Sequence, residues 1–413
     1  MTDREIITNF IREGETDQQR LGLELEHFVL NELEEGIEFD VLSELIRRTG
    51  ESIDAKLTYA EGYVVGYDAG DHTISVEPSC QFEISIAPFS SLRKIEEVYQ
   101  GFRDLWDPIF QGLGYTLVTK GLHPAVEAGR VHPTELPLIP KNRYYFMDRY
   151  FRNSGRYGTH MMRASASAQI SLDYTSEEDM VRKLRILTIL SPVLMQLMEN
   201  KSFPDSRLAE RKGKHLLRTQ VWEDLDPDRT GFFPGAFQGQ FGYDAYAELL
   251  LGRPLVVLTD SGETTYAGEK SLPEILRLSE LSEDPARQKA VVEHLLSMFF
   301  HHIRLKRYLE VRVADSVPIR KALGYGALLK GLLYHEENLK RLEHLLSGHL
   351  IDVEEAVFRT EIQGEDAIIY AGKRVRAWAR DLIRLAEAVL PEEELEYLKE
   401  LQVSHGRKER SAG

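Results

Sequence analysis

The stretch Val76-Glu77-Pro78-Ser79-Cys80-Gln81-Phe82-Glu83-Ile84-Ser85 sets Glu77, Gln81 and Glu83 among apolar neighbours, beside the only cysteine of the chain. Read as a strand over 81–87, it puts Gln81 and Glu83 on one face and Phe82 and Ile84 on the other, because successive side chains alternate. Carboxylates crowded on a sheet repel one another and are costly to bury. Such a face either looks into water or is held by something cationic.

Three further segments repeat the pattern. Over 21–27, Glu24 and Glu26 share a face and Leu23 and Leu25 the other. Over 163–174 strict alternation puts Arg163, Ser165, Ser167, Gln169, Ser171 and Asp173 on one side and alanine, isoleucine and leucine on the other. Over 303–313 the polar set is Arg304, Lys306, Tyr308, Glu310 and Arg312. Any one of these suits the wet face of a half-buried antiparallel strand. Together in one sheet they build a concave surface, carboxylates at one end and guanidiniums at the other.

Outward from these strands the pattern changes type repeatedly, which predicts a mixed α and β chain. Helices are expected over 2–19, 38–48, 90–113, 176–200 and 287–302. Strands are expected over 21–30, 62–68 and 72–77, with turn chemistry at Asp68-Ala69-Gly70-Asp71. From about 319 the pattern is nearly all helical. No Gly/Ser- or Pro-rich linker divides the chain and no internal repeat occurs. The expectation is one domain over 1–413, with a core over 20–335 and a mostly helical region over 336–405.

Composition narrows the function. The 413 residues carry 42% hydrophobic side chains and a net charge of 51 − 67 = −16. That balance argues against general nucleic-acid binding and against docking on anionic membranes. One cysteine cannot form an intramolecular disulfide. There is no apolar signal core at the N-terminus and no run of about 18 apolar residues. A reducing cytoplasm is the expected setting. Sequence leaves the oligomeric state open.

A surface with acids at one end and arginines at the other suits a particular chemistry. Mg²⁺ takes oxygen ligands from one or two carboxylates and leaves positions for phosphate and water; Mn²⁺ accepts the same set. Arginine grips carboxylate and phosphate with a two-pronged fork. Such a surface fits ATP and a carboxylate substrate. The stretch 262–270 lacks phosphate-loop spacing, no Gly-x-Ser-x-Gly elbow occurs, and residues 334–338 lack the second histidine of a zinc helix. Cys80 reads as a small packing residue, and His301 and His302 as structural or surface ones.

Six motifs resemble the plant-type glutamate–cysteine ligases. Residues 22–28 resemble that family's Gly-x-Glu-x-Glu-x-Phe strand, and 77–83 its Glu-Pro-Gly-Gly-Gln-Phe-Glu. Residues 140–147 resemble Pro-Lys-Gly-Arg-Tyr-x-x-Met, and 161–173 the arginine-bearing substrate strand. Residues 218–231 resemble Arg-Ser-x-x-Trp-x-x-Thr-Asp-x-x-Arg-Thr-Gly, and 304–315 Arg-Leu-Lys-Arg-Tyr-Leu-Glu-x-Arg-x-Ala-Asp.

The resemblance implies an α+β, glutamine-synthetase-like fold, a curved, mainly antiparallel sheet with a concave active face and helices packed outside. It implies ATP-dependent joining of L-glutamate, through γ-glutamyl phosphate, to L-cysteine. Glu24, Glu26, Glu77, Glu83 and Glu310 are the implied Mg²⁺ (or Mn²⁺) ligands, with Gln81 beside them. Arg163 and Arg218 would hold glutamate, with Trp222 shaping the pocket and Tyr144 and Arg143 nearby. Lys306 and Arg312 would face the ATP phosphates, supported by Gln169. His123 is either near a metal or a turn histidine. Arg229 is either catalytic or the partner of Asp226 or Asp228.

Two departures bear on this. The family's Gly-Gly is Ser79-Cys80 here, a change that matters if the loop needs positive φ. The residues after Arg163 are Ala164-Ser165-Ala166, which leaves open another amine as acceptor. A non-catalytic binding protein of the same fold is the reading from a different class.

Overall fold

A computed structural model of the chain describes residues 1–203, 213–347 and 351–401. In order they form α1 (Asp3–Arg12), β1 (Leu21–Leu30), α2 (Phe39–Ser52), β2 (Lys56–Ala60), β3 (Tyr63–Asp68), β4 (His72–Val76), β5 (Phe82–Phe89), α3 (Leu92–Gly112), β6 (Thr116–Val118) and α4 (Pro124–Glu127). There follow α5 (Asn142–Ser154), α6 (Gly158–Ala164), β7 (Ser167–Leu172), α7 (Glu177–Leu197), α8 (Leu217–Glu223), α9 (Tyr243–Leu251), β8 (Pro254–Asp260), β9 (Glu263–Ser271) and α10 (Pro285–Ser297). The last elements are β10 (Ile303–Leu305), β11 (Leu309–Asp315), α11 (Ile319–Leu333), α12 (Glu336–Leu346), α13 (Val353–Gln363), α14 (Val375–Glu387) and α15 (Glu392–Leu398).

Nine strands make one antiparallel sheet in the order β10-β11-β7-β1-β5-β4-β3-β2, with β6 also paired to β1. β1 lies mid-sheet, where Glu24 faces Ser85 on one neighbour and Gln169 on the other, and Glu26 stands directly opposite Glu83. The alternate residues Leu21, Leu23 and Leu25 are buried on the opposite face. His27 is a polar exception there: its ring nitrogens meet the Phe82 carbonyl at 3.1 Å and the Tyr99 hydroxyl at 2.9 Å. One large apolar core runs from Ile6 to Leu401, with a small second cluster of Phe28, Leu30 and Ala166 beside it. Among the described residues no helix is long and apolar enough to cross a membrane.

Local chemistry accounts for several boundaries. α7 begins where the Ser176 side chain accepts from the Asp179 N–H, with three acids in its first turn. α1 starts with a Thr2/Glu5 capping box but ends at Arg12, short of the expected residue 19. Gly14 follows, where an added Cβ would lie 2.0 Å from the Arg307 carbonyl oxygen, so the chain leaves the helix to pass against the β10–β11 turn.

Two strand expectations are corrected. Over 163–174 the first part is helical: Arg163 and Ala164 end α6, and the strand starts at Ser167. Over 303–313 the chain folds back as a β10–β11 hairpin, with Arg304 opposite Glu310. β2, β6 and the β8–β9 hairpin carry no period that sets them apart in the sequence. Part of the helical region expected over 336–405, residues 348–350 and 402–405, lies outside the described residues.

Candidate active site

The polar face of β1, β5 and β7 floors a cleft of about 1050 Å³. Glu24, Glu26, Glu77, Glu83, Gln81 and Gln169 line it, with Arg218, Trp222 and Arg312 at one side and Lys141, Arg143 and Tyr144 on α5 and the segment before it. Period-2 geometry brings Glu24, Glu26, Glu83 and Gln169 together; Glu77 reaches the cleft from the turn between β4 and β5.

Three of the floor carboxylates accept hydrogen bonds from hydroxyl and N–H donors. Glu26 accepts from the Ser167 N–H at 2.7 Å and the Ser167 hydroxyl at 3.1 Å. Glu83 accepts from the Ser75 and Ser85 hydroxyls at 3.0 and 3.1 Å. Glu77 accepts from the Tyr144 hydroxyl at 3.2 Å. Burial, then the charges of Glu24, Glu77 and Glu26, raise the Glu83 carboxyl well above the usual range. Burial and Glu77 push Glu26 up to about 7, and burial and Glu310 raise Glu24.

This floor fits a hard cation. Its donors are oxygens, and the carboxylates of Glu26 and Glu83 come from directly opposed positions of the ladder. Among the described residues no three His, Cys, Asp or Glu side chains already ring one point.

Arg218 is 5% exposed. It donates to the Arg312 carbonyl at 3.2 Å and stacks 5.6 Å from the Trp222 ring, while its Nε is buried without a partner. An open donor on a buried guanidinium is costly unless a ligand supplies an acceptor. Lys141, which the sequence reading passed over, lies 4.5 Å over the Tyr144 ring. Arg143 donates to the Ser297 carbonyl and hydroxyl at 3.3 and 3.1 Å. The signal for Lys141 was its place in the Pro-Lys-x-Arg-Tyr motif.

Two assignments, Glu310 and Arg163, are corrected, and two open readings, Arg229 and His123, fall to their structural alternatives. Glu310, wholly buried, does not join the acidic floor: Arg304 at 2.6 Å, Lys306 at 2.9 Å and Arg312 at 2.8 Å surround it and hold its carboxyl well below the usual range against the opposing effect of burial. Arg163 does not line the cleft: carried on α6, it pairs with Asp148 at 3.1 Å and donates to the Leu136 carbonyl at 2.8 Å. Arg229 is buried against Asp226 at 2.8 Å and the Pro254 carbonyl at 2.6 Å, the paired alternative of its two readings. His123 stands at the N-cap position of α4 without a side-chain capping bond, edge-on to Phe28 at 5.2 Å, and does not line the cleft. Gln81 lines the cleft while tying two loops, accepting from the Ser79 N–H and donating to the Ser165 carbonyl.

Lys306 lines a second cavity of about 730 Å³, together with Tyr308, Gly22, Ser85 and Ser171. The two cavities share Glu24, Glu293 and Ser297. Arg312 hydrogen-bonds Gln169 between Lys306 and Arg218. In the turn between β4 and β5, Cys80 takes φ +63°, a conformation that glycine adopts without strain. The turn therefore survives the replacement of glycine, at a cost of roughly 1 kcal/mol.

The profile of Glutamate-cysteine ligase family 2 (GCS2) matches residues 20–410. The chain is 30% identical over 330 residues to the chloroplastic glutamate–cysteine ligase of Medicago truncatula, covering 79% of this chain and 63% of that protein. It is 28% identical over 334 residues to glutamate–cysteine ligase B of Oryza sativa subsp. japonica, covering 80% and 64%. The chain thus spans a little under two thirds of the curated relatives it matches. A glutamate–cysteine ligase from Francisella tularensis, solved in complex with AMP, superposes with a TM-score of 0.49 at 14% identity, over 94% of this chain and 82% of that one. With the profile running through almost its whole length, this chain belongs to glutamate-cysteine ligase family 2.

Proposed function

We propose that the chain joins the γ-carboxylate of L-glutamate to the amine of L-cysteine at the expense of ATP, giving γ-glutamylcysteine, ADP and phosphate, the first step of glutathione biosynthesis. One observation carries this: in a chain of this family, a single cleft pairs four floor carboxylates with a buried guanidinium that has an open donor. Arg218, stacked on Trp222, grips a glutamate carboxylate with its fork. Arg304, Lys306 and Arg312 around the single charge of Glu310 leave a surplus of two positive charges, which suits phosphates. The second cavity, with Lys306 at its wall, takes the nucleotide.

Glu24, Glu26, Glu77 and Glu83 are the residues that would hold Mg²⁺ or Mn²⁺, which would supply charge neutralisation on the phosphates. The protein's own groups orient the reactants. Ser75 and Ser85 fix Glu83, Tyr144 fixes Glu77, and Met147, Met161, Met162 and Phe300 line the cleft with apolar surface that keeps water from an acyl phosphate. A γ-carboxylate oxygen attacks the terminal phosphorus and ADP leaves; the acceptor nitrogen then attacks the acyl carbon and phosphate leaves. We read 1–413 as one catalytic unit, which the continuous core supports. The lone cysteine supports a reducing, cytoplasmic setting.

The test is phosphate release by purified protein with Mg-ATP and glutamate, each candidate acceptor added in turn, and mass spectrometry of the products. Preferential γ-glutamylcysteine formation is expected. Turnover with a different amine only would reassign the acceptor, and none with any amine would overturn the reading.

A further inference from the structure

Helix α10 roofs the floor carboxylates. Ala286, Arg287, Ala290, Glu293, His294 and Ser297 line the cleft, a spacing that follows one helical stripe. The polar groups on this stripe have protein partners, with one exception. Arg287 forms a two-pronged pair with Asp260 at 2.8 and 2.6 Å. His294 meets the Val257 carbonyl at 2.7 Å and Arg143 at 3.4 Å. Ser297 donates to the His294 carbonyl at 2.7 Å and accepts from Arg143. Glu293 makes no hydrogen bond or ion pair with any described residue.

Glu293 is solvent-exposed, where a carboxylate needs no protein partner, and it is its place that sets it apart. A phosphoryl group that passes from nucleotide to glutamate must do so where the two cavities meet. Among the described residues only Glu24, Glu293 and Ser297 line both. Glu24 belongs to the acidic floor, and Ser297 is satisfied by its neighbours. Glu293 is left as the unpaired carboxylate that lines both cavities from the roof.

We propose that Glu293 binds the ammonium group of the amine acceptor and takes its first proton. This rests on the ligase reading above. The acceptor arrives as R-NH₃⁺, a cation that needs an anionic partner and cannot attack until it loses a proton. Glu293 accepts that proton and passes it to solvent through the open side of the cleft. The freed lone pair forms the C–N bond, the acyl C–O bond to phosphate breaks, and the second N–H proton leaves on the departing phosphate.

Hydroxylamine isolates this role, because it is neutral at pH 7 and attacks acyl phosphates without a base. Full-length wild type, Glu293→Gln and Glu293→Asp are assayed with Mg-ATP and glutamate, once with cysteine and once with hydroxylamine. Ligation to cysteine is expected to fall about 100-fold in Glu293→Gln, the usual size of a general-base deletion. Hydroxamate formation should stay within about threefold of wild type. The deficit with cysteine should shrink as pH rises and more of the acceptor is already neutral, and Glu293→Asp should recover part of the loss. A parallel fall of both products in Glu293→Gln, or no fall in either, overturns the assignment of Glu293 alone. Absence of hydroxamate from the wild type overturns the ligase reading and this inference with it.

Discussion

Glu310→Gln separates a counter-ion from a metal ligand. In the structure Glu310 Oε2 accepts from Arg304 at 2.6 Å and Arg312 at 2.8 Å, and Oε1 from Lys306 at 2.9 Å. Glutamine removes the charge and turns an amide donor toward guanidinium donors. Removing one partner of a buried pair costs about 3–5 kcal/mol. The Lys306 side chain is 21% exposed and can partly rehydrate, whereas that of Arg304 is 7% exposed and cannot, which favours the lower end of about 3 kcal/mol. With an unfolding slope of about 3 kcal/mol per M urea, the metal-free midpoint should drop by about 1 M. Glu83→Gln is the control. That carboxylate sits among like charges, so losing its charge should leave the metal-free midpoint unchanged or raise it. Glu83→Gln should also abolish turnover and the rise in midpoint that Mg²⁺ gives the wild type. If Glu310→Gln keeps the metal-free midpoint of the wild type and loses the Mg²⁺-dependent rise, the counter-ion argument is wrong and Glu310 is a metal ligand.

Three other outcomes follow from the same geometry. Arg218→Lys keeps a charge and loses the fork, so KM for glutamate should rise about 10- to 100-fold with KM for ATP little changed, from the 1.5–3 kcal/mol of a charge-assisted hydrogen bond; steady-state kinetics reads it. Cys80 is buried and burial pushes its thiol up to about 12, so a thiol reagent should label native protein slowly and urea-unfolded protein at once. Burial pushes the His27 imidazole down to about 3, so it stays neutral in the fold while the unfolded chain protonates near pH 6.5. Its contribution is therefore full above pH 6.5 and is lost as pH falls toward 3. The stability of wild type minus that of His27→Phe should decline by about 1.4 kcal/mol per pH unit below 6.5, measured by urea unfolding at stepped pH; a difference flat with pH would show that His27 is not held neutral.

The sequence by itself determined the sheet face. β1 spans Leu21–Leu30 as its period reads, and Glu24, Glu26, Glu83 and Gln169 meet because alternation is a property of the local backbone. The Ser176 cap of α7 is local in the same way. Residues 163–166 show the limit: alternation continued through them, but they close a helix, and Arg163 went with that helix to Asp148. Tertiary structure alone decided what each charge faces. Glu83 and Glu310 are both buried glutamates on strands of one sheet, and one lies among carboxylates while the other lies among three cations. Which occurs depends on strand order and hairpin register, through contacts such as Glu26 opposite Glu83 and Arg304 opposite Glu310. Lys141 and Glu293 come from outside the sheet, where no strand period points to the cleft. Charge–charge energies fall with distance through space, and separation along the chain does not fix that distance.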